Sequence, residues 1–237
     1  MHRRSALFSA LFTAAVVAAT GIVVSPKAAQ SANCGASAAA GVDWGGCVKK
    51  NLMLPGSDFQ KANLTEVDFT MTDLSRNNLA EANFEKTRLI RAWLTGSTID
   101  KANFSRVEGY RAGFQNVSAK DANFESAELQ RANFAGAVLT GTSFQKAELG
   151  RATFDKAELS DVDFTLANLS RADLGQSTFK VAPRFDRAFM FLTRIEGVDL
   201  SSAIDLEQSQ VDLACGDAGT KLPVGLHAPA IWPCPKD

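Results

Sequence analysis

Ala82–Phe104 reads ANFEKTRLIRAWLTGSTIDKANF. Within it Phe84, Leu89, Leu94, Ile99 and Phe104 fall at every fifth residue, each preceded two positions earlier by a short side chain (Ala82, Thr87, Ala92, Ser97, Ala102). Extended both ways, the register runs from Phe59 to Phe179: of 25 such positions, 11 are Leu, 11 are Phe and one is Ile, and only Gly109 and Ala119 depart from it. The position two residues earlier is Ala 14 times and otherwise Val, Ser, Thr or the single Asn77. An amphipathic helix needs apolar positions three and four apart, and a half-buried strand needs strict alternation. A five-residue unit with two inward residues, one short and one large, requires a chain that turns a corner at each unit and coils around its own core.

The period is hierarchical. Phe84, Phe104, Phe124, Phe144 and Phe164 form a column at intervals of 20, Phe114, Phe134 and Phe154 form a second ten residues out of phase, and Leu fills much of the columns between, as at Leu129, Leu149 and Leu169. Four units per coil account for this. The units Ala62-Asn63-Leu64, Ala82-Asn83-Phe84, Ala102-Asn103-Phe104, Ala122-Asn123-Phe124, Ala132-Asn133-Phe134, Ala167-Asn168-Leu169 and Ala172-Asp173-Leu174 resemble the pentapeptide-repeat family. The resemblance covers residues 57–181. It implies an all-β fold, a right-handed quadrilateral parallel β-helix, and it implies no single activity, because the family shares a rod and not a reaction.

The rest of the chain supplies processing and capping segments. His2, Arg3 and Arg4 precede an apolar run over residues 6–24, and Ala28, Ala29, Ser31 and Ala32 follow it, so residues 1–32 read as a secretory signal peptide; an uncleaved membrane anchor is the alternative. A periplasmic or secreted location follows from that reading. Cys34 and Cys47 precede the repeats and Cys215 and Cys234 follow them. Three connectivities are possible, and a rigid rod separating the ends favours Cys34 with Cys47 and Cys215 with Cys234. Residues 33–56 and 182–237 are therefore expected to be end caps, with the coil starting near residue 42. Lys49 stands where an inward apolar residue belongs, so the first coil is expected to be irregular. Pro183 and residues 185–192 interrupt the register, which resumes one residue out of phase at Ile195, and Asp205-Leu206-Glu207-Gln208 predicts a short capping helix over 206–214.

Chemistry must come from outward positions. Arg91, Arg111, Arg131, Arg151 and Arg171 recur at intervals of 20, and Glu108, Glu128 and Glu148 precede three of them by three residues. One reading is a surface salt-bridge network that fixes register, each exposed pair contributing about 0–1 kcal/mol. The other is a regular array of planar guanidinium forks for an anionic envelope glycan. A column at Asn63, Asn83, Asn103 and Asn123 predicts a structural amide ladder. Gly109 and Ala119 remove two large side chains from one coil, which is expected to be narrow, soft or filled by Tyr110.

Other classes find little support. The histidines are His2 and His227 alone, so no nucleophile and base pair lies in the repeats and a metal site lacks ligands; neither enzyme activity nor a cofactor is expected. Some family members bind DNA gyrase by imitating a duplex, which needs a strongly acidic surface. Residues 57–181 carry 17 acidic and 15 basic side chains, and no nucleic acid partner is expected either. The sequence therefore reads as a non-catalytic structural or protein-interaction module of the cell envelope, meeting a protein partner or itself through an end cap, with glycan binding through the Arg column as the alternative.

Overall fold

The computed structural model describes residues 32–235. Residues 1–31, which carry most of the expected secretory signal, lie outside the described residues.

Each five-residue unit makes one short side of a square and one corner. At the corner the amide two residues before the next large core residue donates back to the carbonyl of the previous one, as in Thr87 to Phe84 at 2.9 Å and Ala112 to Gly109 at 2.9 Å. The residue before the donor is left-handed, with φ 56° at Lys86 and 57° at Arg111, the pattern of a type II turn. No β-branched residue occupies a left-handed corner among the described residues, consistent with the steric cost of that region. The sides stack as parallel bridges 20 residues apart, for example Asn63 on Asn83, Asn83 on Asn103 and Asn103 on Asn123. The result is the expected right-handed quadrilateral β-helix.

The core is a stack of aromatic rings. Phe84, Phe104 and Phe124 lie nearly parallel, with centroids 4.5 and 4.8 Å apart, and Phe114 and Phe134 repeat this on the opposite side at 4.8 Å. Across the coil the two columns meet edge to face, as Phe124 does with Phe134 at 5.8 Å. All five are fully buried, each burial stabilising by about 1.5–3 kcal/mol. Inward Thr and Ser hydroxyls donate to backbone carbonyls, mostly of the preceding coil, as Thr87 to Leu64 at 2.6 Å, Ser97 to Leu74 at 2.9 Å and Thr142 to Ala119 at 2.7 Å, while Ser177 donates within its own coil to Leu174. Burial of these hydroxyls therefore leaves no donor unsatisfied.

The coil containing Gly109 and Ala119 corrects one expectation. It is filled from the next coil by Leu129, whose Cδ2 lies 2.7 Å from where a Cβ on Gly109 would stand. Tyr110 points outward instead and is partly exposed, with the Arg111 guanidinium 5.3 Å from its ring centre.

Coiling extends to both sides of residues 57–181. Bridges begin at Asp43 on Asn63. The first coil keeps the 20-residue register, with Val48 on Asp68 and Met53 on Asp73, and the expected irregularity is confined to the Lys49 side chain, whose ammonium sits 3.8 Å from the Trp44 ring centre and donates to the Cys34 carbonyl at 2.8 Å. The inward position is thus tolerated because the charge reaches the rim; burial still lowers the Lys49 pKa. Beyond Glu158 on Thr178 the bridge spacing changes from 20 to 21, with Asp163 on Arg184 and Asn168 on Phe189, so the slip is absorbed around Val181–Pro183.

The cap helix, α1, spans Gln208–Val211 and is shorter than predicted. Its capping box pairs Glu207 with Gln210, because Asp205 occupies a left-handed corner at φ 56° and cannot adopt the extended N-cap conformation. Gln210 seals the coil end by donating to the carbonyls of Phe185 and Ala188 at 2.8 and 2.9 Å. Cys34 bonds Cys47 and Cys215 bonds Cys234. The second bridge holds Trp232 against Gly216, and the indole donates to the Ala214 carbonyl at 2.7 Å.

Candidate functional site

The five arginines of the column occupy equivalent left-handed corners, with φ between 53° and 60°. Their amides lock each to the coil above, Arg111 to the Gln130 carbonyl, Arg131 to Gly150, Arg151 to Ser170 and Arg171 to Phe191, at 2.8–3.0 Å. All five are exposed. Successive guanidinium stems therefore rise along one edge at roughly the interstrand spacing of about 4.8 Å.

The glutamates stack as their own column, Glu108 on Glu128 on Glu148, but they do not compensate the arginines. Glu108 is taken by Arg88 one coil earlier at 2.9 Å, and Glu148 accepts from Asn168 one coil later at 2.8 Å. Among the described residues, Arg91, Arg111, Arg131, Arg151 and Arg171 make no ion pair with any carboxylate. The physical reason is the corner: a carboxylate leaving the flat side and a guanidinium leaving the turn three residues later are separated by a change of direction, so these glutamates find partners along their own column. Arg88 shows the preferred geometry, bridging Glu108 on one side and Asp68 on the other, each at 2.9 Å. Burial alone would raise the Asp68 pKa, but hydrogen bonds from Thr70, Lys50 and Arg88 outweigh it and hold the carboxyl well below the usual range.

Beside the upper half of the Arg column lies a depression of about 420 Å³. The neighbouring corner position carries Tyr110 and Gln130 in lower coils and then Gly150 and Ser170, so the wall drops away where side chains become small. Arg131, Arg151 and Arg171 form one side of it, and Phe189 and Phe191 close its end. These two rings lie 11° from parallel with centroids 6.3 Å apart, and they are 50% and 41% exposed. The pair was not singled out from the sequence because it falls within the register slip; the available signal was two Phe in the outward positions 189 and 191, next to the Gly150 and Ser170 gap.

From Asn83 to Asn123 the Asn column forms an amide ladder, with Asn103 donating to Asn83 at 3.1 Å and Asn123 to Asn103 at 3.5 Å, while Asn63 donates to Asp43 at 2.8 Å. Each side-chain oxygen also accepts the amide two residues on, as Glu85 gives to Asn83, so this column is structural. No group of three potential metal ligands occurs among the described residues.

The fold is that of a β-helical solenoid whose outward columns are ladders of like residues. The family model for pentapeptide repeats matches in eight copies, over residues 50–79, 57–96, 78–108, 120–155 and 144–180, and the chain belongs to the pentapeptide-repeat family. Among solved structures it is similar to HetL, a pentapeptide-repeat protein involved in heterocyst differentiation regulation from the cyanobacterium Nostoc sp. strain PCC 7120, at 23% identity and TM-score 0.56 over 73% of this chain and 84% of that one. It is also similar to the plasmid-mediated fluoroquinolone resistance protein QnrB1, at 20% identity and TM-score 0.41 over 76% and 85%. A third is a pentapeptide-repeat protein of the Arabidopsis thaliana thylakoid lumen, at 23% identity and TM-score 0.27 over 51% and 67%. At these identities the likeness concerns the fold alone. No curated protein matches the chain.

Proposed function

We propose that the protein is a non-catalytic, exported interaction rod of the cell envelope that binds an anionic polymer through its Arg column. The observation that supports this is the arrangement of five exposed arginines at one repeating corner, none of them paired with a carboxylate among the described residues. A column kept only for register would gain from pairing, as Arg88 does with Asp68 and Glu108. Stacked like charges repel one another at this spacing, and a bound polyanion relieves that repulsion. Two disulfides fit an oxidising compartment outside the cytoplasm, which agrees with export. Contact with a protein partner or a second copy through the end caps is the other reading, and apolar residues at the C-terminal end, Phe189, Phe191 and Leu213 among them, are what favour it.

The test is retention of envelope material by the wild type against a variant combining Arg111→Glu, Arg131→Glu and Arg151→Glu. A retained polyanion that is lost by the variant, and released from wild type by salt, supports the column as the binding face. Equal retention by both overturns it and directs attention to the caps.

A further inference from the structure

We infer that the depression bounded by Arg131, Arg151, Arg171, Phe189 and Phe191 is a binding site for an acidic polysaccharide bearing carboxylates on its sugars; this rests on the Arg column being a binding face and adds its ligand class and its place. Three features of the site match that chemistry and no simpler one.

The first is charge. Three guanidinium groups rise along one wall at the interstrand spacing, comparable to the length of one hexose, so a chain lying along the rod axis sets its carboxylates against successive planar forks. The second is the aromatic end. Phe189 and Phe191 are near-parallel, half-exposed rings on a surface otherwise made mostly of polar columns. A flat, apolar ring face packs against the C–H face of a pyranose, whereas a purely ionic ligand such as polyphosphate gains nothing from it. The third is the remaining lining, where Gln130 and Ser170 border the depression beside Gly150. Their neutral amide and hydroxyl groups exchange hydrogen bonds with sugar hydroxyls.

Single-stranded nucleic acid also pairs phosphates with stacking bases. It is disfavoured by the disulfides, which fit a compartment where acidic glycans are the abundant polyanions. Gly150 and Ser170 supply the floor. Gly150 has no positive φ, and a Cβ there would meet only ordinary contacts, the nearest being Ser170 Oγ at 3.5 Å. Its small size is therefore not required by the backbone and leaves the groove open.

The test uses the protein with both disulfides formed and four probes: a polygalacturonate oligomer, its neutral carboxyl-reduced form, inorganic polyphosphate and oligothymidylate. Two variants leave every arginine in place. One combines Phe189→Ser with Phe191→Ser, and the other is Gly150→Gln, which fills the floor with the side chain already present at Gln130 one coil earlier. Unchanged melting curves establish that both fold. The expected result is that wild type binds polygalacturonate in preference to its neutral form, and that each variant weakens this about tenfold while leaving any polyphosphate binding unchanged.

Several outcomes overturn the inference. If the Phe and Gly variants bind polygalacturonate as wild type does, yet the Arg111→Glu, Arg131→Glu, Arg151→Glu variant does not, the groove fails and the Arg column stands. If wild type binds none of the three polyanions, both fail together. Tighter binding of oligothymidylate that is lost with Phe189 and Phe191 assigns the groove to nucleic acid. A wild-type dimer in sedimentation that the Phe variant converts to monomer makes the patch a self-association surface.

Discussion

Glu108 accepts a hydrogen bond from Arg88 Nε, one coil below it, at 2.9 Å, and thereby leaves Arg111, three residues further along the chain, without a carboxylate. Arg88 also holds Asp68 Oδ2 at 2.9 Å, and that carboxylate is nearly buried. The two arginines therefore differ in consequence, Arg88 projecting from a bridged side and Arg111 from a corner. Arg88→Ala is expected to destabilise the rod by about 1–2 kcal/mol, because Asp68 keeps only Lys50 as an ion-pair partner. Arg111→Ala is expected to change stability by less than about 0.5 kcal/mol. Denaturant unfolding of the two variants checks this, and equal costs would show that Arg111 has a partner after all.

The corners carry a second expectation. Lys101 holds φ 56°, a region that costs an L-residue roughly 1–2 kcal/mol and a β-branched residue more. Lys101→Gly removes that cost but adds freedom to the unfolded chain, for a net gain of about 0–1 kcal/mol. Lys101→Val should lose at least about 1 kcal/mol by the same steric argument. The melting temperatures of the pair, ordered Gly above wild type above Val, are the measurement.

Much of this molecule is legible in its sequence because one rule, two inward residues in five, fixes which side chains meet. The Phe84 to Phe164 stack, the amide ladder through Asn103 and both disulfides follow from the period once a coil of four units is recognised. What escaped belongs to places where the rule is broken or does not apply. Leu129 filling the space above Gly109 is a rotamer choice that a column diagram does not encode. The pairing of Glu108 with Arg88 and not Arg111 depends on the direction in which a corner and a flat side project. Phe189 and Phe191 lie where the spacing shifts from 20 to 21, and only the placement of the slip assigns them to the outer surface. Asp205 looked like a helix cap because local sequence does not reveal that the coil's corner turn still claims it.

Gly109 tests the first of these. Read as a defect in the register, it invites repair by a larger residue. The structure gives the opposite sign, since a Cβ would lie 2.7 Å from Leu129 Cδ2 and 3.6 Å from the Glu128 carbonyl oxygen. Gly109→Ala is expected to cost about 1–3 kcal/mol through overpacking. Pairing it with Leu129→Val should recover part of the loss, so a double-mutant cycle showing no coupling would mean that the space is filled by something else.

The C-terminal cap gives a prediction in pH. Lys221 donates to Asp199 Oδ2 at 2.8 Å across adjacent rungs, and Ser201 donates to Oδ1 at 2.6 Å. These bonds, the Lys221 contact foremost, lower the Asp199 pKa to about 2 from the ordinary 3.8 and raise that of Lys221. A carboxyl depressed on folding adds stability above its unfolded pKa and loses it as pH falls through the folded one. A raised lysine adds stability below its unfolded pKa and loses it as pH rises through the folded value. The pair thus supports the cap from about pH 4 to about pH 10 and releases it at either end. Asp199→Asn should melt below wild type at pH 6, and the difference should shrink steeply as the pH falls from 4 to 2, where Asp199 is protonated in the unfolded chain and half protonated in the folded one. Asp217 strengthens the same joint, its pKa lowered chiefly by the Gly197 amide, which donates to it at 2.9 Å. A melting difference that persists undiminished at pH 2 would mean that Asp199 acts through packing and not through its charge.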